Sequence, residues 1–225
     1  MNLGEMREAT LENIVRDDLE NARLNRYINI AQQRIARYHN WRDLYVKAST
    51  TTVPGQGNYP LPLGDDRLKD LVSITLIDPS GQDTKLTAVP YRRLHEIVPN
   101  PDSETQGKPK VYTFWDNAIQ LYPIPEAEYT VQILYVKWPT KLEDTLDEPD
   151  FIGLDDVIIA GATQAGFMSL QQKEETIFWN QQFSVLLQEA MSGDIKHTDH
   201  ILRLQGYRST PPRFGDVQPD PMAQG

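Results

Sequence analysis

The chain has 225 residues, of which 39% are hydrophobic, no cysteine, and a formal net charge of −10. That length suits one sizeable domain or a domain with an inserted module, and the missing cysteines exclude disulfides and thiolate metal sites. The negative balance argues against a general grip on nucleic-acid phosphates, though not against a protein that surrounds DNA without holding it, and no apolar run of about 18 residues offers a membrane span.

The polar, acidic start carries no signal-peptide pattern, and the absence of cysteine fits assembly in a reducing cytoplasm. Residues 1–9 are expected to fray, and Thr10 with Asn13 reads as a weak N-cap for a short helix over Leu11–Asn21. Leu24, Ile28, Ala31, Ile35 and Tyr38 then fall at i, i+4, i+7, i+11 and i+14 and predict a helix with one apolar face. Arg23, Arg26, Arg34, Arg37 and Arg42 sit mostly off that face, where they suit a solvated surface, an acidic neighbouring subunit or nucleic acid. Trp41, at the end of this helix, reads as a core plug.

From Tyr45 the period changes from helical to alternating. Val46–Val53 predicts a strand, Pro54–Gly57 a turn, and Asn58–Leu63 an extended stretch. Leu71–Asp78 and Thr84–Ala88 predict a strand pair around a turn at Pro79–Gln82. Pro90–Val98 suggests one short helix and Pro99–Lys110 a polar loop. Val111–Trp115, Ala118–Tyr122 and Tyr129–Lys137 predict further strands, the first two joined at Asp116-Asn117. The expectation is an antiparallel module of about six strands. Its tyrosines and Trp115 suit sugar or base binding if exposed, although strand aromatics are usually core.

Trp138–Asp150, rich in acids, reads as a solvated linker without the order of a calcium loop. Phe151–Met191 contains no proline and predicts either two helices breaking near Lys173–Glu175 or one long helix. Leu154, Ile158, Ala162, Ala165 and Met168 define one apolar face, and Trp179, Phe183, Leu186, Leu187 and Ala190 the other. Ala160, Gly161, Ala162, Ala165 and Gly166 make the first of these helices thin, which admits either a tight core contact or a subunit contact. Beyond Gly193 the chain turns polar. Ile195–Leu204 suits one more helix, and Gly206–Gly225 lacks the apolar residues to build a core.

The fold class that emerges is α+β. N-terminal helices (1–45) and a C-terminal helix pair (141–193) pack together as a helical bundle, an antiparallel β module (46–140) is inserted between them, and an arm (194–225) extends beyond. No nucleophile elbow, phosphate loop, dinucleotide fingerprint or zinc-protease helix occurs, so neither catalysis nor a cofactor is expected. His197 and His200 have the spacing of a metal-binding pair but no further ligands to support it.

Three stretches together resemble the head-to-tail adaptor (connector or head-completion) proteins of tailed bacteriophages, over roughly Leu11 to Ala190. The first is the helix holding Asn29-Ile30-Ala31 and ending at Trp41. The second is Thr52-Val53-Pro54-Gly55-Gln56-Gly57-Asn58-Tyr59-Pro60-Leu61-Pro62. The third is Leu121-Tyr122-Pro123-Ile124-Pro125, followed by Tyr129–Lys137 and a helix holding Ile159-Ala160-Gly161-Ala162. The resemblance implies a non-enzymatic protein of the virion neck, made in the host cytoplasm. Such adaptors form a homo-oligomeric ring, usually a dodecamer, beneath the portal protein. The ring extends the DNA channel without binding DNA specifically and offers a platform to tail or neck proteins. The resemblance also implies that the C-terminal arm docks on the portal, with Ile201, Leu202, Leu204, Tyr207, Arg208, Arg213 and Phe214 as its candidate anchors. Ala160, Gly161, Ala162, Ala165, Trp179 and Phe183 are the candidates for subunit or core packing. A tail-completion protein, a carbohydrate-binding virion module and a DNA-binding protein are the competing expectations.

Overall fold

The computed structural model describes residues 1–15, 19–61, 66–98, 106–115 and 118–204, without the side chains of 97 and 195–204. The protein is mixed α+β, with two hydrophobic cores.

Helix α1 (Leu3–Ile14) occupies the stretch expected to fray. Asn2 and Glu5 form a capping box: the Asn2 side chain accepts from the Glu5 N–H at 2.9 Å, and Glu5 accepts from the Asn2 N–H at 3.0 Å. Leu3, Met6, Thr10 and Ile14 are buried, so Thr10 lies inside the helix and does not cap one. The helix stops at Val15, which adopts a left-handed conformation (φ 55°). Helix α2 (Asn21–Tyr38) buries Leu24, Ile28, Ala31 and Ile35 as their spacing requires, with Tyr27, Gln32 and Ala36 beside them. Tyr38, assigned to the same face, is exposed, because the helix ends there and passes beyond its neighbours. Trp41 is buried, and its indole N–H donates to the Ile35 carbonyl at 2.9 Å.

The β region forms two four-stranded sheets and a two-stranded one among the described residues. The first sheet contains β1 (Tyr45–Thr51), β3 (Leu68–Ile77), β4 (Asp83–Lys85) and β10 (Thr130–Lys137), in the order β1-β10-β3-β4, all antiparallel. The second contains β2 (Asn58–Pro60), β5 (Thr87–Ala88), β7 (Val111–Trp115) and β8 (Ala118–Tyr122), in the order β2-β8-β7-β5. The small third sheet pairs β6 (Gln106–Gly107) with β9 (Ile124–Pro125). The strand expected over Thr84–Ala88 is divided at buried Leu86. Its N–H still reaches the Ile74 carbonyl at 2.9 Å, but the chain beyond it joins the other sheet. The module is therefore not purely antiparallel: β5 runs parallel to β7, and β6 to β9. Trp115 stands opposite Ala118, while the turn at 116–117 lies outside the described residues, as does most of the polar loop. Ile74, Leu76, Ile119, Leu121, Val131, Ile133 and Tyr135 fill the core between the two larger sheets. Helix α3 (Tyr91–Ile97) covers one end.

The stretch 138–150 is solvated along much of its length, with Glu143, Asp144, Leu146 and Glu148 exposed, but it is anchored to the helices. Leu142 is buried, and the Asp147 carboxylate accepts from the Glu143 and Asp144 N–H groups at 2.8 Å each. The carbonyls of Thr145 and Asp147 accept from the first N–H groups of α1, those of Gly4 and Leu3. The acids thus fold the connection onto the helix start, which attracts negative charge.

Helix α4 (Asp155–Ser169) begins with its two aspartates, and α5 (Lys173–Leu204) follows after a break at 170–172, where Gln171 takes φ 59°. Two corrections concern the faces: Met168 is exposed and Trp179 is only half-buried, so Phe183 is the aromatic plug of this pair. Gly193 does not end the helix: α5 runs through it to Leu204. Ile195–Leu204 is helical, as its sequence suits, but as a continuation of α5 and not as a separate element.

Candidate functional site

The candidate functional elements are surfaces and the joints that hold them. The helical core is built around thin α4. A β-carbon added to Gly161 lies 3.0 Å from Ala31 Cβ on α2 and 3.0 Å from the Phe183 ring on α5, and one added to Gly166 lies 2.5 Å from Ile14 on α1. Ala160, Ala162 and Phe183 are buried in the same cluster, against which Ala165 and Trp179 pack half-buried. These small residues meet elements of their own chain. Arg34 crosses the joint, with its guanidinium 4.6 Å from the Phe183 ring centroid and 2.5 Å from Gln164 Oε1.

A seam of charge ties the helices to the sheets. Lys69 on β3 donates to the carbonyls of Ala36 and His39, capping α2 as a cation at a helix C-terminus does. Burial lowers its pKa, and Asp70 opposes that. Asn40 donates to Asp70 at 3.1 Å. Lys137 on β10 bonds Asp150 at 3.0 Å and lies 3.6 Å from Asp66. Burial opposes the charge of Lys137, yet the two carboxylates outweigh it and hold its pKa above the ordinary value. Asp66 also accepts from the Tyr135 hydroxyl at 2.9 Å, and burial with that bond pushes Tyr135 up to about 12.

Each motif of the sequence has a structural use. Tyr59 closes the Thr52–Pro62 stretch. Its hydroxyl lies 2.6 Å from the Gln56 carbonyl and 3.0 Å from both the Val53 carbonyl and the Val53 N–H, which donates to it. Gly55, at φ 81°, makes the turn that lets the ring fold back. In the third motif the Tyr122–Pro123 peptide is cis.

The surfaces include one that periodicity did not reveal. Trp115 is 62% exposed and stacks on Tyr91 at 4.9 Å, with His95 4.2 Å from the Tyr91 ring and exposed Phe114 next in sequence. The burial of β7 does not alternate, so the strand pattern gave no sign of it. Ile177, Phe178 and Val185 form a second exposed apolar group on α5. Of the candidate arm residues, Ile201, Leu202 and Leu204 fall on the described backbone of α5, whereas Tyr207, Arg208, Arg213 and Phe214 lie outside the described residues. The side chains of His197 and His200 are also outside them, and among the described residues no group of three or more His, Asp or Glu has the arrangement of a metal site. No described helix is long and apolar enough to cross a membrane.

A family model described as SU10 adaptor protein matches residues 1–211. Among curated proteins none matches the chain.

Proposed function

The chain belongs to the SU10 adaptor protein family and is a bacteriophage adaptor, a structural protein of the virion; from this premise we propose that it is the head-to-tail adaptor, ringed beneath the portal. In this reading the ring, a dodecamer, extends the DNA channel and presents the platform on which the tail is attached. The helical part, 1–45 with 141–193, forms the ring body. The β part, 46–140, faces tail or neck proteins. DNA passes through without specific binding, and neither catalysis nor a cofactor takes part.

The observation that supports this division of labour is the pair of separate hydrophobic cores, joined by the polar seam of Lys69, Lys137, Asp66 and Asp150. Two bodies with their own cores can serve two neighbours. Helix α5 runs on to Leu204, and the segment after it, with Tyr207, Arg208, Arg213 and Phe214, has the composition of a docking arm. A surplus of negative charge suits a channel that must let phosphates pass.

The test is a chain lacking 195–225. It should melt like the full chain and fail to join portal-bearing capsids. Truncated protein that binds those capsids at full occupancy contradicts the arm's role.

A further inference from the structure

Helix α5 buries Phe183 and Leu187 and turns the opposite stripe outward: Glu174, Phe178, Gln181, Val185 and Glu189, at i, i+4, i+7, i+11 and i+15. Phe178 is 53% and Val185 51% exposed, with Ile177 at 61% beside them. Three exposed apolar side chains on one side of a helix make a candidate interaction surface. Elsewhere, a groove of about 530 Å³ runs along α2, lined by Ala22, Arg26, Asn29, Ile30, Gln33 and Leu142 among others. It opens on one flank of α2, while α5 of the same chain meets α2 through Arg34 on another.

We propose that the outer face of α5 docks into the α2 groove of a second copy, so that copies join head to tail. The inference rests on the ring reading above and names the two faces that would build the ring.

Charge selects the occupant. Helix α2 carries Arg23, Arg26, Arg34 and Arg37 and no acidic residue. The α5 stripe is bounded by Glu174 and Glu175 at one end and Glu189 at the other. None of Arg23, Arg26 and Arg37 forms an ion pair with another described residue. Arg23 and Arg37 are as far apart along α2 as Glu175 and Glu189 are along α5, roughly 21 Å at 1.5 Å per residue. The arginines along α2 therefore face the glutamates that bound the α5 stripe, with Ile30 in the groove as the apolar counterpart of Phe178 and Val185; Lys141 and Glu143, which also line the groove, neutralise each other as an ion pair. Joining two α5 faces to each other would instead set glutamate against glutamate. Because the paired faces differ, the contact is heterologous, and its repetition builds a ring where the rotation closes, and not a symmetric pair. The same arginines are the chain's best match to DNA phosphates, and that alternative is an outcome of the test.

The chain has no cysteine, so introduced ones report cleanly. Full-length Ile30→Cys and Phe178→Cys proteins are mixed, free and bound to portal-bearing capsids, and oxidised. The expected product is a disulfide between the two different variants, and the double variant should give a ladder of covalent multimers. Arg26→Glu should weaken association by about tenfold or more, and pairing it with Glu174→Arg and Glu189→Arg copies should restore it. All of these positions are on the surface, and unchanged melting of each variant confirms its folding. A ring in which only like positions cross-link, or none do, overturns the assignment of faces while leaving the ring reading intact. Capsid-bound copies that form no ring overturn both. An Arg26→Glu protein that associates normally but loses a duplex-DNA shift at moderate salt assigns the arginines to DNA and overturns the proposal.

Discussion

Asn29 and Leu142 pair as two residues of adjacent strands would: the Asn29 amide donates to the Leu142 carbonyl at 2.9 Å and accepts from the Leu142 N–H at 2.9 Å. One side chain of α2 thereby satisfies both backbone groups of a buried residue in the connection between the β part and α4. The arrangement explains why this stretch lies against the helices despite its many acids.

Replacing Asn29 with leucine keeps the size and strands both groups. Leaving partly buried donors and acceptors unmet costs about 2 kcal/mol here. Urea unfolding should show that loss, with faster amide exchange around Leu142. Stability equal to the parent's would mean that the connection is held by Leu142 packing alone.

The tight core at α4 predicts an order of severity. Phe183→Ala, which empties a buried aromatic site, should cost about 3–5 kcal/mol. Trp179→Ala, at a half-buried position, should cost visibly less. Gly161→Ala adds a methyl 3.0 Å from both Ala31 and the Phe183 ring, an overpacking penalty of about 1–3 kcal/mol. A Trp179→Ala protein less stable than Phe183→Ala would reverse the assignment of the plug.

Acid should destabilise the protein through identifiable carboxylates. Hydrogen bonds from the Ser80 hydroxyl and the Gln82 N–H, with Lys108 nearby, hold Asp78 down at about 2. Backbone N–H groups of Glu143 and Asp144 lower Asp147. Burial pushes Asp150 up, but the Thr140 N–H and Lys137 outweigh it and leave the group lowered. Groups whose folded pKa lies below the unfolded one contribute stability above the unfolded value, near 4, and lose it as the pH falls toward 2. The melting midpoint should fall across that window, and Asp147→Asn should flatten the fall. A midpoint independent of pH between 4 and 2 would contradict this account.

Much of the fold was legible in local pattern. The spacing of Leu24, Ile28, Ala31 and Ile35 located α2, alternation located β1, β3 and β10, and the return to helical period located α4 and α5. What escaped depends on distant partners or on a cap. The signal for the helix at Leu3–Ile14 is Asn2 with Glu5 three residues on, a capping box that competes in the sequence with the cap pattern at Thr10. Leu86 divides a strand because its neighbours belong to two sheets, which no local period records. Trp115 is exposed because its partner is Tyr91 on α3, not the core. Phe178 and Val185 stand out only once Phe183 and Leu187 are known to define the inner side of α5.

The central claim is position in the virion, and a reconstruction of the neck of the particle that carries this protein tests it most directly. The account predicts a closed ring of copies of this chain directly beneath the portal, with the helical core around the DNA channel, the β part toward the tail and the end of α5 toward the portal. Density for this fold elsewhere in the particle, or a neck complete without it, would contradict the account.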